Sequence, residues 1–449
     1  MIEMYSDQKG DSRVRKTITA LILALCLLSG CAAFETALIP PPTAMPDQAA
    51  SALPLPPPSA EASAPAAVSP PPEATATPSA APELSQPSVD SPIDETQPPV
   101  IIPQQDALSE QLDHIFADLD EFSGSVLIMR SKNILLNKSY GMADSETGIM
   151  NTPDTKFLIG SVTKQFTAMA VMQLYEKGLL DINDRLSSYL PDFSRSADIT
   201  LENLLTHTSG IMDYMNDDIQ LLPEIPHDAL SVRYIINLVG EKPLKFEPGL
   251  KYAYSNTNYL ILGYIIEVVS GLSYGDYLAL HIFEPLAMKN TGVIDINHLP
   301  EGMAAGHMRY GVPVRYYSAA GEIIADSANS AMGSYGAGCL YSTVWDLYLW
   351  DLALSTEKLL SKRYIDMMFN PSVPIPDAEI EGTYGYGWVI ENDPDVGTIR
   401  RHTGSLSGFR AYNGLFADRG ETVIILYNIK AFVGRDEMLP AVKQVLSAS

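Results

Sequence analysis

Basic residues are scarce in this 449-residue chain: 29 Lys and Arg stand against 54 Asp and Glu, a formal net charge of −25. Not one Lys or Arg occurs between Lys16 and Arg130, and no extended basic cluster is found elsewhere. Without a positive face to neutralise phosphates, nucleic acid is excluded as a partner. The acids are most simply a solvated surface. Cysteine is rarer still, limited to Cys26, Cys31 and Cys339. The first two lie in an N-terminal targeting segment, so the mature domain keeps one thiol and closes no internal disulfide. Cys339 reads as a small buried apolar residue. Metal-ligand spacing is missing as well: the seven histidines include no His-Glu-x-x-His, and neither metal nor cofactor is implied. The apolar run at residues 18–28 is too short to span a bilayer.

That run follows Arg13, Arg15 and Lys16 and ends in Leu28-Ser29-Gly30-Cys31. A basic stretch before a short apolar one is a secretory signal. Its ending resembles a bacterial lipobox, which implies cleavage before Cys31 and lipid attachment to it; ordinary signal cleavage nearby is the alternative. Residues 32–105 change character abruptly, holding about half of the chain's 33 prolines among Ala, Ser and Thr. Such a composition buries too little apolar surface to offset chain entropy and favours extended backbone. We read it as a tether, able to hold a domain on the order of 100–200 Å from a membrane. A Pro-rich recognition motif is the lesser reading.

The folded part is expected over residues 106–449. Asp106 can cap a first helix, and residues 125–129 and 134–137 form a hairpin pattern. Residues 181–184 are expected to open a long helical stretch. Further helices are expected at 201–205, 232–239, 257–270, 274–282 and 435–446, and late strands at 387–390, 398–402, 409–417 and 422–427. Strands at both ends of a helical middle predict an α+β fold, an antiparallel sheet flanked by helices plus an inserted, mainly helical domain. The sheet part is expected at about 106–185 and 335–449, the helical part at about 186–334. The cleft between them is the natural site.

Three Ser-x-x-Lys matches occur, at Ser6, Ser161 and Ser355. The first lies in the leader and the third in an expected exposed connection. Only Ser161 opens a run apolar on nearly every side, so a helix there places Ser161 and Lys164 on one face with the amine close to the hydroxyl. Tyr254-Ser255-Asn256 follows a Phe246-Glu247-Pro248-Gly249 turn and precedes a helix. His402-Thr403-Gly404-Ser405 sits on a late strand, where glycine permits close backbone approach. Two imitations are set aside: Tyr214-x-Asn216 in an expected exposed loop, and His207-Thr208-Ser209-Gly210 as a structured turn.

The ordered trio resembles the serine β-lactamase-like family, which includes class C β-lactamases, D-Ala-D-Ala carboxypeptidases, D-aminopeptidases and esterases. The likeness extends to Leu204–Gly210 and Phe246–Gly249. It implies that Ser161 forms an acyl-enzyme, that Lys164 and Tyr254 share proton transfer, and that Asn256 holds substrate amide or Lys164. The amides of Ser161 and Ser405 would form the oxyanion hole, and His402, Thr403 and Gly404 would line the substrate. Substrates implied are small molecules or peptides, including the peptidoglycan stem peptide, D-amino-acid amides, esters and β-lactams. One departure matters: class C enzymes carry Lys where this chain has His402, and a histidine offers no fixed charge for a substrate carboxylate. Arg400, Arg401 and Arg410 are candidates to replace it. Two other readings remain open. Gly271-Leu272-Ser273-Tyr274-Gly275 fits an α/β-hydrolase elbow, although a helix rather than a strand precedes it. A lipid-tethered penicillin-binding sensor without turnover is the other.

Overall fold

The computed structural model describes residues 107–217, 231–295, 298–309, 312–313, 315–317, 323–325, 334–370, 373–376, 382–429 and 434–449. The leader, the lipobox at Cys31, the residue 32–105 tether and the Asp106 cap lie outside them. So do Ser6 and Lys9.

In chain order the main strands are β1 (Gly124–Arg130), β2 (Asn133–Tyr140), β3 (Phe157–Leu158), β4 (Gly292–Val293), β5 (Leu340–Ser342) and β6 (Val373–Pro374). They continue as β7 (Thr383–Tyr384), β8 (Val389–Asp393), β9 (Gly397–Leu406), β10 (Phe409–Phe416) and β11 (Glu421–Tyr427). The principal helices are α1 (Ala107–Ala117), α2 (Thr163–Glu176), α3 (Leu201–Leu205), α4 (Val232–Gly240) and α5 (Asn256–Ser270). After them come α6 (Tyr274–Leu278), α7 (Val344–Ala353), α8 (Lys362–Phe369) and α9 (Arg435–Ser447).

Eight strands form one sheet in the order β6-β7-β8-β9-β10-β11-β1-β2. Every neighbouring pair is antiparallel. The N-terminal hairpin therefore docks on the last strand of the chain, with Gly124 opposite Tyr427 and Arg130 opposite Glu421. β11 is buried at all seven positions because helices cover both faces. On one face α1 and α9 bury Leu112, Phe116, Val442 and Leu446 against Val126, Ile128, Val423 and Ile425. On the other, α2 and α7 pack Phe166 and Trp350 over Leu127, Ile424 and Leu426. That second core runs without a break into α3, α4, α5 and α6. The architecture is the expected α+β mixture of helices and antiparallel sheet.

One expected element is absent. No long helix follows Asp181; the residues form turns and a single short 3-10 segment at Leu186–Ser188. The reason is local: Asp181 Oδ1 accepts the Asn183 amide at 2.9 Å and Asp184 Oδ2 accepts the Asp181 amide at 2.8 Å. Aspartate side chains that capture nearby amides compete with the helical ladder. β9 is longer than the expected 398–402, running on through Thr403, Gly404 and Ser405 to Leu406. Within the expected helical part, residues 218–230, 296–297, 310–311, 314, 318–322 and 326–333 lie outside the described residues.

Candidate active site

Ser161 sits in a 3-10 turn, Gly160–Val162, that feeds directly into α2. Twelve of the fourteen α2 residues are buried, which places the polar first turn inside the protein. Gly160 has a φ of +51°, and a Cβ built on it would lie 2.8 Å from the Ser405 amide nitrogen. Glycine is required there on both counts. Gly404 is its counterpart across the gap: a Cβ on it would stand 1.8 Å from the Ile159 carbonyl oxygen. The Ser161 turn and the β9 strand thus meet through two residues without side chains. Thr403 and Ser405, on alternating positions, are exposed.

Lys164 is completely buried. Its Nζ lies 3.1 Å from Ser161 Oγ, and it donates to Asn256 Oδ1 and to the Ala337 carbonyl, each at 2.8 Å. Burial lowers its pKa from the ordinary 10.5 to about 7, against the opposing pull of the Asp213 carboxylate. Tyr254 Oη donates to Ser161 Oγ at 2.9 Å. Burial pushes the phenol well above its ordinary value, so Tyr254 is protonated at neutral pH. Asn256 is the first residue of α5, and its Nδ2 donates to Asp213 Oδ2 at 3.0 Å. The structure therefore brings Ser161, Lys164, Tyr254 and Asn256 into one hydrogen-bonded cluster.

His402 is buried at its edge, with ring centroids 6.4 Å from Tyr254 and 5.9 Å from Tyr384. Its Nδ1 is 2.7 Å from the Thr403 carbonyl, which can only accept, so Nδ1 carries the proton. Nε2 is then the acceptor for Tyr384 Oη at 3.0 Å. Burial, with Lys164 nearby, drops the ring's pKa to about 3, so His402 is neutral. The arginines are engaged elsewhere. Arg401 Nε donates to Glu391 at 2.7 Å, Arg400 lies 4.2 Å over the Phe369 ring, and Arg410 donates to the Leu406 and Phe409 carbonyls. Cys339 is buried and, among the described residues, has no disulfide partner.

The imitations separate cleanly. Ser355 donates to the Leu352 carbonyl on an exposed turn. Ser273 caps α6 by accepting the Asp276 amide, and Gly271, at φ +74°, ends α5, so no strand leads into that serine. The Tyr214 segment, in contrast, is not an exposed loop: Tyr214 and Asp213 are buried, while Asn216 is exposed. Its acids suggested solvent, yet the Asp213 carboxylate accepts from Asn256 at the start of α5 and from Met215 and Asn216 of its own segment. Asp213 and Tyr384 carry no motif of their own. The only signal for Asp213 was its place among Ile211, Met212 and Tyr214.

The Beta-lactamase family model matches residues 112–447. A Bacillus subtilis (strain 168) protein carrying the name penicillin-binding protein PbpX is 33% identical over 307 residues, covering 68% of this chain and 70% of its own. A teichoic acid D-alanine hydrolase of Staphylococcus aureus is 30% identical over 315 residues, 69% of this chain and 71% of its own. Among solved structures, a penicillin-binding protein from Bacillus halodurans superposes with a TM-score of 0.64 at 26% identity, covering 74% of this chain and 99% of that one. By class, then, the protein is a serine hydrolase. The chain belongs to the β-lactamase family.

Proposed function

We propose that Ser161 is the nucleophile of an acyl-transfer hydrolase acting on D-alanyl or related esters and amides. One observation carries this: Ser161 Oγ is held between Tyr254 Oη at 2.9 Å and Lys164 Nζ at 3.1 Å. Near pH 7 about half of Lys164 is neutral. Its two N–H bonds then serve Asn256 Oδ1 and the Ala337 carbonyl, which leaves the lone pair for the Ser161 hydroxyl. As the Oγ–carbon bond forms, the serine proton moves to Lys164. Tyr254, still protonated, donates to Oγ beforehand and hands its proton to the departing nitrogen or oxygen; the Lys164 ammonium restores it. The Ser161 and Ser405 amides flank the oxygen that gains charge. Water then attacks the acyl carbon as Lys164 accepts its proton; the Oγ–carbon bond breaks, the acid product leaves, and Lys164 returns the proton to Ser161 Oγ.

The neutral His402 favours substrates whose recognition does not depend on a carboxylate, ahead of penicillins. The relatives named above, one a D-alanine hydrolase and one a penicillin-binding protein, support that range. Placement at the cell envelope fits them too, with Cys31 as lipid anchor and residues 32–105 as tether. Replacement of Cys31 by Ser is expected to abolish incorporation of radiolabelled palmitate in cells; retained label refutes the anchor.

The test is a panel of D-alanyl ester, D-amino-acid amide, D-Ala-D-Ala peptide and penicillin, followed by turnover and by intact mass. Ester or amide turnover that falls about 10³-fold or more in Ser161→Ala is expected. Acylation of Ser161 with no release makes the protein a tethered sensor instead. Unchanged turnover in Ser161→Ala overturns the reading.

A further inference from the structure

The two stretches that imitate site motifs, His207–Gly210 and Tyr214-x-Asn216, lie on one segment, buried from Thr206 to Ile211 and at Asp213 and Tyr214, against the Tyr254 loop. Hydrogen bonds tie the two together. His207 Nδ1 accepts the Ser255 amide at 3.2 Å, and the His207 carbonyl accepts the Ala253 amide at 2.9 Å. The Met212 carbonyl accepts Ser255 Oγ at 3.1 Å and Thr257 Oγ1 at 2.6 Å. Thr257 Oγ1 in turn accepts the Tyr214 amide at 3.1 Å.

Asp213 stands at the centre of this seam. Its Oδ1 accepts the Met215 amide at 3.0 Å, and its Oδ2 accepts Asn216 Nδ2 at 2.6 Å. Asn256 Nδ2 approaches both oxygens, at 3.3 and 3.0 Å. A carboxylate only accepts, so it selects the amide rotamer that turns NH2 toward itself. The Asn256 oxygen is then forced toward Lys164, where it sits 2.8 Å from Nζ. The flipped amide would set oxygen against carboxylate and NH2 against amine, two unfavourable contacts in a buried site.

We propose that Asp213 is a positioning residue of this site: it fixes which way the Asn256 amide points and is the buried counter-charge to Lys164. The assignment rests on the acyl-transfer reading above. Among the described residues, the other groups facing Lys164 are the Asn256 and Ala337 oxygens, the Ser161 hydroxyl, the rings of Tyr254 and Tyr259, and the imidazoles of His207 and His402. Both imidazoles are held neutral by burial. Among the described residues, Asp213 is the charge that opposes the burial lowering the Lys164 pKa. Next to it, Asp217 accepts the Asp213 amide at 2.8 Å and is paired with Lys245 at 2.7 Å. Removing the Asp213 charge therefore lowers the Lys164 pKa further and moves the onset of base catalysis to lower pH.

A fluorophosphonate reads this without a known substrate. Ser161 Oγ forms a bond to phosphorus, the P–F bond breaks, fluoride leaves, and the serine proton passes to Lys164. The rate of label gain, followed by intact mass against pH, is expected to rise through about pH 7 in the native protein. In Asp213→Asn the rise shifts down by about one pH unit, and the plateau rate falls about 10-fold or more as Asn256 loses its orientation. Asp213→Glu, which keeps the charge but displaces it, is expected to hold the onset near the native pH with a reduced plateau. An unmoved onset in folded Asp213→Asn, or an onset shifted in Asp213→Glu, overturns the counter-charge role. A native plateau in Asp213→Asn overturns the orienting role. No label at Ser161 in the native protein is a different result, and it sinks the acyl-transfer reading itself.

Discussion

A lysine amine ordinarily holds its proton until well above neutral pH, and a tyrosine holds its own nearly as long. At this site burial moves the two in opposite senses, because it disfavours charge in each: Lys164 toward the neutral amine, Tyr254 toward the neutral phenol. In the proposed mechanism the pair thus divides into a base and a proton donor at pH 7. Replacing Tyr254 with Phe removes the 2.9 Å bond to Ser161 Oγ and leaves Lys164 in place. We expect kcat to fall about 10²–10⁴-fold, while the rise of acylation rate with pH stays near 7. Loss of that rise in Tyr254→Phe would make the phenol the base. Much of this was legible in the residues. Ser161 and Lys164 stood out because a polar pair headed a helix apolar on nearly every side, and Tyr254 and Asn256 because they followed a turn signal and led into a further helix. Asp213 was not legible, because an acid between apolar residues carries no sign of whether its partner is water or a buried amide.

At the scale of elements, the site is a junction between a turn and a strand. β9 approaches the Ser161 turn so closely that any side chain at Gly404 meets the Ile159 carbonyl. Gly404→Ala must either push β9 outward or distort the turn. A loss of about 1–3 kcal/mol is expected from such overpacking, read as a lower midpoint in urea with an unchanged slope. The labelling of Ser161 should suffer more than stability does, since the displaced strand carries Ser405. Equal labelling in the variant would show that the approach of β9 is not needed. The strand's length was hard to read beforehand for a related reason: from Thr398 to Ser405 only Ile399 is aliphatic, so no apolar alternation marks where the strand ends. Likewise the expected helix after Asp181 failed because two aspartates captured backbone amides, a short-range competition that apolar spacing does not register.

For the whole molecule, the telling fact is where the chain ends meet. α1 and α9 lie side by side on the sheet face opposite Ser161, and β1 pairs with β11, so the helical middle is held between two termini that close one sheet. Strand patterns at both ends of the sequence already implied this closure, although the pairing register came only with the structure. The arrangement separates stability from chemistry. Leu446, on α9, is fully buried among Leu112, Phe116, Val126 and Ile425. Leu446→Ala leaves a cavity on that face and should cost about 2–5 kcal/mol. None of the residues it touches belongs to the core beneath α2, so the Ser161–Lys164 geometry has no direct reason to change. The variant should therefore unfold at lower urea yet, while folded, be acylated with the native rate and the native rise near pH 7. A shifted pH dependence in that variant would mean that the two faces of the sheet are coupled, and that the closure by the chain ends tunes the amine as well as holding the fold.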